Sequence, residues 1–270
     1  MAMLALLPLA TLLGAAGADD LAPRPRLEAP PVSPPLEVYR VRLAVDIPVI
    51  AASATAGLLR GYLTEHLVRQ RCPCSPDEVN SFDRGTIGNH SDAAGRVSDI
   101  TVGVAVLGPP LLDVFALGAS RAFAQDLTVY SEAVLVGTLL HQVANFGLQR
   151  PRPRTYAGEP SFVDEGEGYL SFYAGHVSTT AAALSAASFT MRRRYGEHVW
   201  PWVVTGLITT SVGVERVLAG QHFPSDVLVG AVVGLAVGIA VPWLHARSPE
   251  AQLTVTPAPS GRGLALLGRF

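Results

Sequence analysis

The stretch RVLAGQHFPSDVLVGAVVGLAVGIAVPWLH, residues 216–245, carries both the fold and the chemistry of this chain. Its later part, 225–245, is dominated by Val, Ala, Leu, Ile and Gly. That is close to the ~20 residues a helix needs to span a bilayer. Its earlier part sets Arg216, His222 and Asp226 at the mouth of that run. Pro224 is well placed before a helix opening at Ser225, and the helix dipole favours Asp226 in the first turn. One turn of helix then brings the Asp226 carboxylate to one imidazole nitrogen of His222. Such a contact fixes the tautomer and leaves the other nitrogen free as nucleophile or base. Arg216 reaches back across the turn towards an anion. The plainer alternative is a helix cap with an interface contact. An Arg, a His and an Asp at one membrane edge are costly enough to favour function.

Five further apolar stretches precede this one, at 43–65, 98–118, 127–148, 172–191 and 199–218. The 270 residues are 49% hydrophobic and 16% charged, with mean hydropathy +0.32. Soluble proteins carry about 25% charged residues. The expected class is therefore all-α: a helical-bundle membrane protein with about six apolar helices. Asp46, Pro48 and Arg60 in the first stretch, and Pro109, Pro110 and Asp113 in the second, predict tilted, kinked or partly inserted helices. Arg192-Arg193-Arg194 marks its loop as cytoplasmic and turns 149–171 and 219–224 outward. Residues 1–18 read as a signal peptide ending in Ala16-Gly17-Ala18, or else as an uncleaved anchor. The proline-rich stretch 19–40 reads as a linker, 41–246 as the helical domain and 247–270 as a tail, with a short β-hairpin around Thr254–Thr256 and Leu264–Leu267. A cleaved signal conflicts with the parity of six spans, and 43–65 is the stretch expected not to cross.

All twenty Lys+Arg positions are arginine. Lysine Schiff-base chemistry and a Walker A lysine are excluded, so a tightly bound anion is held by Arg, His or backbone N–H groups. A net charge of -2 without a basic run argues against nucleic acid. Cys72 and Cys74 are too few for a disulfide framework or a four-ligand zinc site. With one residue between them they are awkward partners for each other, and idle thiols are the first reading, ahead of redox pairing or metal binding.

Two more polar clusters lie on the expected outer side. Arg150, Arg152 and Arg154 alternate with Pro151 and Pro153 after the third stretch, and arginine matches phosphate oxygens in fork geometry. Gly175-His176 opens the fourth stretch. Glycine lets a backbone N–H approach a ligand, a helix N-terminus attracts anions, and a histidine there can protonate a leaving group. Plainer readings remain for each: a positive flank at the headgroups, and a glycine turn beside a solvated histidine.

Together these residues resemble the type 2 phosphatidic acid phosphatase (PAP2) superfamily, which also includes bacterial acid phosphatases and vanadium haloperoxidases. That family carries K-x6-R-P, P-S-G-H and S-R-x5-H-x3-D. Arg152-Pro153, Gly175-His176 and Arg216…His222…Asp226 match in order and spacing. Four positions depart: Asn145 stands where the family has lysine, Tyr173-Ala174 replaces Pro-Ser, and Glu215 replaces the serine before Arg216. Arg150, Arg154 or His141 are the candidates to compensate, and Asn145 is kept as an auxiliary position of the site.

The resemblance implies a phosphatase acting on a phosphorylated lipid (phosphatidate or polyprenyl diphosphate type) through a phosphohistidine. His222 is then the nucleophile, Asp226 its orienting acid and His176 the general acid. Arg152, Arg216 and the Gly175 N–H hold the equatorial oxygens. No metal or other cofactor is implied, nor a protein partner, and the site of this multi-pass protein faces the periplasm or cell exterior. The alternative is a catalytically weakened protein of the same fold that binds a phosphorylated headgroup. A vanadate-dependent haloperoxidase is disfavoured by the apolar helices.

Overall fold

In the computed structural model, residues 35–247, 252–257 and 264–269 are described; the expected signal peptide and most of the linker lie outside them. Ten helices follow in order: α1 (Leu43–Leu58), α2 (Arg60–Leu67), α3 (Ser81–Arg84), α4 (Asp92–Leu117), α5 (Arg121–Leu148), α6 (Pro153–Tyr156), α7 (Pro160–Val163), α8 (Gly175–Tyr195), α9 (Trp200–Leu218) and α10 (Pro224–His245). Two antiparallel strands, β1 (Gln252–Pro257) and β2 (Leu264–Arg269), form the hairpin expected in the tail, with Val255 opposite Leu266. The six apolar stretches coincide with α1–α2, α4, α5, α8, α9 and α10.

Local chemistry sets the helix boundaries. Ser91 caps α4 by accepting from the Ala94 N–H, and Ser120 caps α5 by accepting from the Phe123 N–H. Both helices therefore start six residues before the apolar stretches suggest. The α4 helix runs on through Pro109 and Pro110. The first stretch is broken instead, with α1 and α2 meeting at a bend of 53°. The cysteines also differ from the first reading. Cys72 and Cys74 are joined in a disulfide with their Cα atoms 4.4 Å apart, within bridging range.

The molecule is a helical-bundle membrane protein. Among the described residues, α4 and α10 are each long and apolar enough to cross a membrane, and α1–α2 qualify as a bent pair. The remaining long helices fall short because they turn polar residues inward. Gln125, Asp126, Glu132, Gln142 and Asn145 of α5 are buried, as are Ser178, Thr180, Ser185 and Ser188 of α8. The outward surface is the apolar one. Val97, Ile100, Val104, Leu107 and Leu111 recur along α4 at helical spacing, and all are exposed. This inverts the amphipathic pattern of a water-soluble helix.

At the centre lies α8, in contact with α4, α5, α9 and α10. Its small residues admit α10 closely. A Cβ at Gly234 would lie 2.3 Å from the Ser178 carbonyl oxygen, and one at Gly238 would lie 2.1 Å from Ser185 Oγ. Close packing through small residues is how helices associate in lipid, where apolar burial gives no driving force. One core gathers Val129, Tyr130 and Ala133 of α5 with Ala183, Ala186 and Phe189 of α8 and Val241 of α10. Val38 and Tyr39, in the stretch read as linker, are buried in that core, and Tyr39 bridges to Ala246. A smaller core of Ala174, Val177 and Val212 lies at the other end, where α8 and α10 begin.

Candidate active site

The N-termini of α8 and α10 and the C-terminus of α9 bring His176, His222 and Arg216 to one end of the bundle. The turn between α9 and α10 needs glycine at its tip. Gly220 has φ +65°, and a Cβ there would come within 1.9 Å of the Asn89 carbonyl oxygen. Asn89 is part of an Asn-His-Ser sequon, yet its Nδ2 donates to the Val217 carbonyl at 3.0 Å, so its amide already closes the end of α9.

His222 follows that turn and is buried. Its Nδ1 lies 2.7 Å from the main-chain carbonyl of Ser171. A carbonyl only accepts, so Nδ1 carries the proton and Nε2 presents a bare lone pair. Burial, and then the charges of Arg152 and Arg216, hold the imidazole pKa well below its ordinary value. His222 is thus a neutral imidazole with a fixed tautomer and a free lone pair on Nε2.

Asp226 does not touch His222, contrary to the one-turn expectation. Its Oδ2 accepts from the Phe223 N–H at 3.0 Å and from Ser171 Oγ at 2.6 Å, and Oδ1 accepts from Arg150 at 2.6 Å. The carboxylate closes the first turn of its own helix, which points it away from the imidazole two residues before the helix start. It acts on His222 through Ser171, whose side chain it holds and whose carbonyl holds the ring.

Arg150 is likewise not a phosphate ligand. It donates to Asp226, to Ser225 Oγ at 2.8 Å and to Asp83 Oδ2 at 2.8 Å, and its guanidinium lies 4.2 Å from the Phe223 ring centre. Asp83 in turn accepts from the Ser225 N–H at 3.0 Å and from its hydroxyl at 2.6 Å. The Asp83 and Asp226 side chains are fully buried. Arg150 is therefore the cation that keeps two buried acids paired. Arg154 points elsewhere, to Glu159 and Asp92, and to the Phe162 ring at 4.6 Å. Its guanidinium is spent on the loop, and it offers nothing to an anion at His222.

Arg152 and Arg216 are both buried at the site. Arg152 donates from Nε to the Glu167 carbonyl at 2.8 Å and from its terminal nitrogens to Gln221 and Glu167. Burial and the nearby Arg216 charge pull its pKa down to about 10, so it stays cationic. Arg216 donates to Ser98 Oγ at 3.3 Å and Asp99 Oδ1 at 3.4 Å, and its Nε has no partner among the described residues. His176 Nε2 lies 2.9 Å from the same Asp99 oxygen. Asp99 is largely exposed and sits where one carboxylate oxygen meets both groups.

Gly175 is required by the His141 ring: a Cβ would lie 2.6 Å from His141 Cε1. Asn145, one turn further along α5, is fully buried; its Nδ2 donates to the His141 carbonyl at 3.1 Å and its Oδ1 has no partner among the described residues. It places no charge in the site. Asp83, Asp99, Glu167, Ser171 and Gln221 were not singled out from the sequence. For Asp99 a signal existed, as an acid at the start of an apolar stretch. The others come from loops and very short helices, which no periodicity announces.

A membrane helical bundle with two histidines and two buried arginines at one end has the parts of a phosphoryl-transfer site. Residues 126–250 match the PAP2 superfamily model. Over 68 residues the chain is 40% identical to undecaprenyl-diphosphatase BcrC of Bacillus subtilis, a stretch making up 25% of this chain and 32% of that protein. The chain thus spans about a third of the length of that curated relative. Among solved structures, Aquifex aeolicus LpxE shares 22% identity at a TM-score of 0.43, covering 58% of this chain and 90% of its own. A transmembrane PAP2 type phosphatidylglycerolphosphate phosphatase from Bacillus subtilis shares 17% at 0.41, covering 75% and 92%.

Proposed function

We propose that this protein is a lipid phosphate phosphatase, hydrolysing a phosphomonoester or diphosphate on a lipid at the outer face of a membrane. The observation that carries the reading is the bare Nε2 of buried His222, its tautomer fixed by Ser171, beside the charges of Arg152 and Arg216. In the first step the Nε2 lone pair attacks phosphorus in line. The bond to the leaving oxygen breaks as His176 delivers a proton to that oxygen. In the second step water attacks the phosphohistidine and passes a proton back to His176. The P–N bond breaks and phosphate leaves. Arg152 and Arg216 stabilise charge on the equatorial oxygens, the electrostatic work on which phosphoryl transfer chiefly depends.

Three features support the outer side: Arg192-Arg193-Arg194 at the end of α8 remote from His176, the apolar belt of α4, and the placement of the site at the opposite end of the bundle. A second reading, headgroup binding without turnover, is favoured by Asp99, which already engages both His176 and Arg216, and by neutral Asn145 in place of a lysine.

Phosphate release by detergent-purified protein, from phosphatidate and polyprenyl diphosphate in parallel, tests both. Wild type turns over one or both lipids, and His222→Ala lowers kcat by at least about 10³-fold, as loss of a nucleophile does. Equal rates for the two proteins reject His222 as nucleophile. Lipid binding without any phosphate release establishes the second reading.

A further inference from the structure

At the far end of α10, about 30 Å along the helix from His222 by its 1.5 Å rise per residue, lies a second cluster that the phosphatase reading does not use. It consists of Asp46 of α1, Glu132 of α5 and His245 of α10, whose ligand-type atoms all fall within 4.8 Å of one another. His245 Nδ1 lies 2.9 Å from the Val241 carbonyl, so Nδ1 carries the proton and Nε2 faces the acids with its lone pair. Asp46 Oδ2 is taken by the Arg42 N–H at 2.6 Å, which leaves Oδ1 for the cluster. Glu132 is about nine-tenths buried, and its Oε2, aimed at the same point, has no hydrogen-bond partner among the described residues. Two carboxylates and a lone pair, all facing inward, repel each other unless a proton or a metal cation stands between them.

The distances indicate which charge. His245 Nε2 is 3.4 Å from Asp46 Oδ1 and 3.4 Å from Glu132 Oε2. A protonated imidazole would draw one carboxylate in to about 2.7–2.9 Å, the length of a charge-assisted N–H···O bond, and neither is that close. Ligands arranged tetrahedrally at about 2.0–2.2 Å from zinc stand roughly 3.3–3.5 Å apart. Both separations fall in that range. One imidazole with two carboxylates and an open fourth position is a donor set that zinc accepts.

We propose that Asp46, Glu132 and His245 bind one divalent cation of the zinc class, tying α1, α5 and α10 together at the end of the bundle opposite His222. The role is structural, and the phosphoryl chemistry does not pass through it. Because a cation bound only by the folded state stabilises it, metal raises the melting temperature.

The test uses full-length protein in detergent, stripped with a chelator and titrated with Zn²⁺ by calorimetry, with bound metal counted by elemental analysis. One zinc per chain and a higher Tm are expected. Glu132→Gln and His245→Ala each weaken binding by more than the roughly 10–100-fold that outer-shell changes cost. His222→Ala still binds one zinc. As a measurement that needs no variant, Co²⁺ added to stripped wild type gives the visible absorption of a tetrahedral site. Absence of stoichiometric zinc, absence of that absorption, undiminished binding in both cluster variants, or loss of binding in His222→Ala each overturns the proposal.

Discussion

Arg150 shows how far a residue's task depends on partners distant in sequence. Its two acids, Asp83 and Asp226, lie 67 and 76 positions away. Removing one partner of a buried ion pair costs about 3–5 kcal/mol, because a charge is left uncompensated. Arg150→Ala therefore lowers the melting temperature. It also loosens Asp226, then Ser171, then the ring of His222, so kcat falls while KM changes little. Arg150→Lys restores part of both, since it returns the charge without the fork. Steady-state kinetics on the three proteins decide the matter; an alanine variant with unchanged kcat would show that Arg150 serves stability alone. From sequence this arginine read as an auxiliary phosphate contact or as a positive flank at the headgroups, because it sits two positions from Arg152 in a proline-spaced run. The alternation predicted rigidity correctly but could not indicate direction. Asp226 was misread for a related reason. A spacing of four is a helical contact only inside a helix, and His222 lies before its start.

At the scale of elements, the packing of α8 against α10 aligns the site. Gly230, Gly234 and Gly238 follow one another at four-residue spacing, and a Cβ at Gly230 would lie 2.7 Å from the Ala174 carbonyl, beside Gly175. The contact that joins the helices therefore also sets His176 against His222. Gly234→Leu forces the helices apart. Overpacking costs typically about 1–3 kcal/mol, and a clash with backbone belongs at or above the upper end. The expected result is a lower Tm in detergent and a loss of turnover exceeding any loss of folded protein. A variant with unchanged Tm would mean that the interface yields without cost. The six long apolar stretches were legible because each carries a sustained pattern of its own. A kink in the first stretch was anticipated from its polar residues, but its place at Leu59, the short helices α3, α6 and α7, and the disulfide were not, since each depends on what the loop meets in three dimensions.

Across the whole molecule, burying a neutral histidine makes stability depend on pH. The folded pKa of His222 lies well below its ordinary value, whereas an unfolded chain takes up the proton near pH 6.5. Below that pH the unfolded state binds more protons than the folded one, so stability falls as the solution is acidified. The loss from His222 amounts to about 1.4 kcal/mol per pH unit at most. Melting curves between pH 7.5 and pH 5 are expected to show Tm dropping on the acid side, with a shallower drop in His222→Gln. Equal slopes for the two proteins would place the titrating group elsewhere.

The acceptor that orients His222 is the main-chain carbonyl of Ser171. Every residue type has one, so no point substitution can delete it. A complete mutational scan would find no all-or-none orienting position beside His222. It would instead find graded losses spread over Ser171, Asp226, Arg150 and Asp83, the side chains that steady that strand of backbone. The position of the ring can then shift by degrees through these supports while His222 itself stays in place.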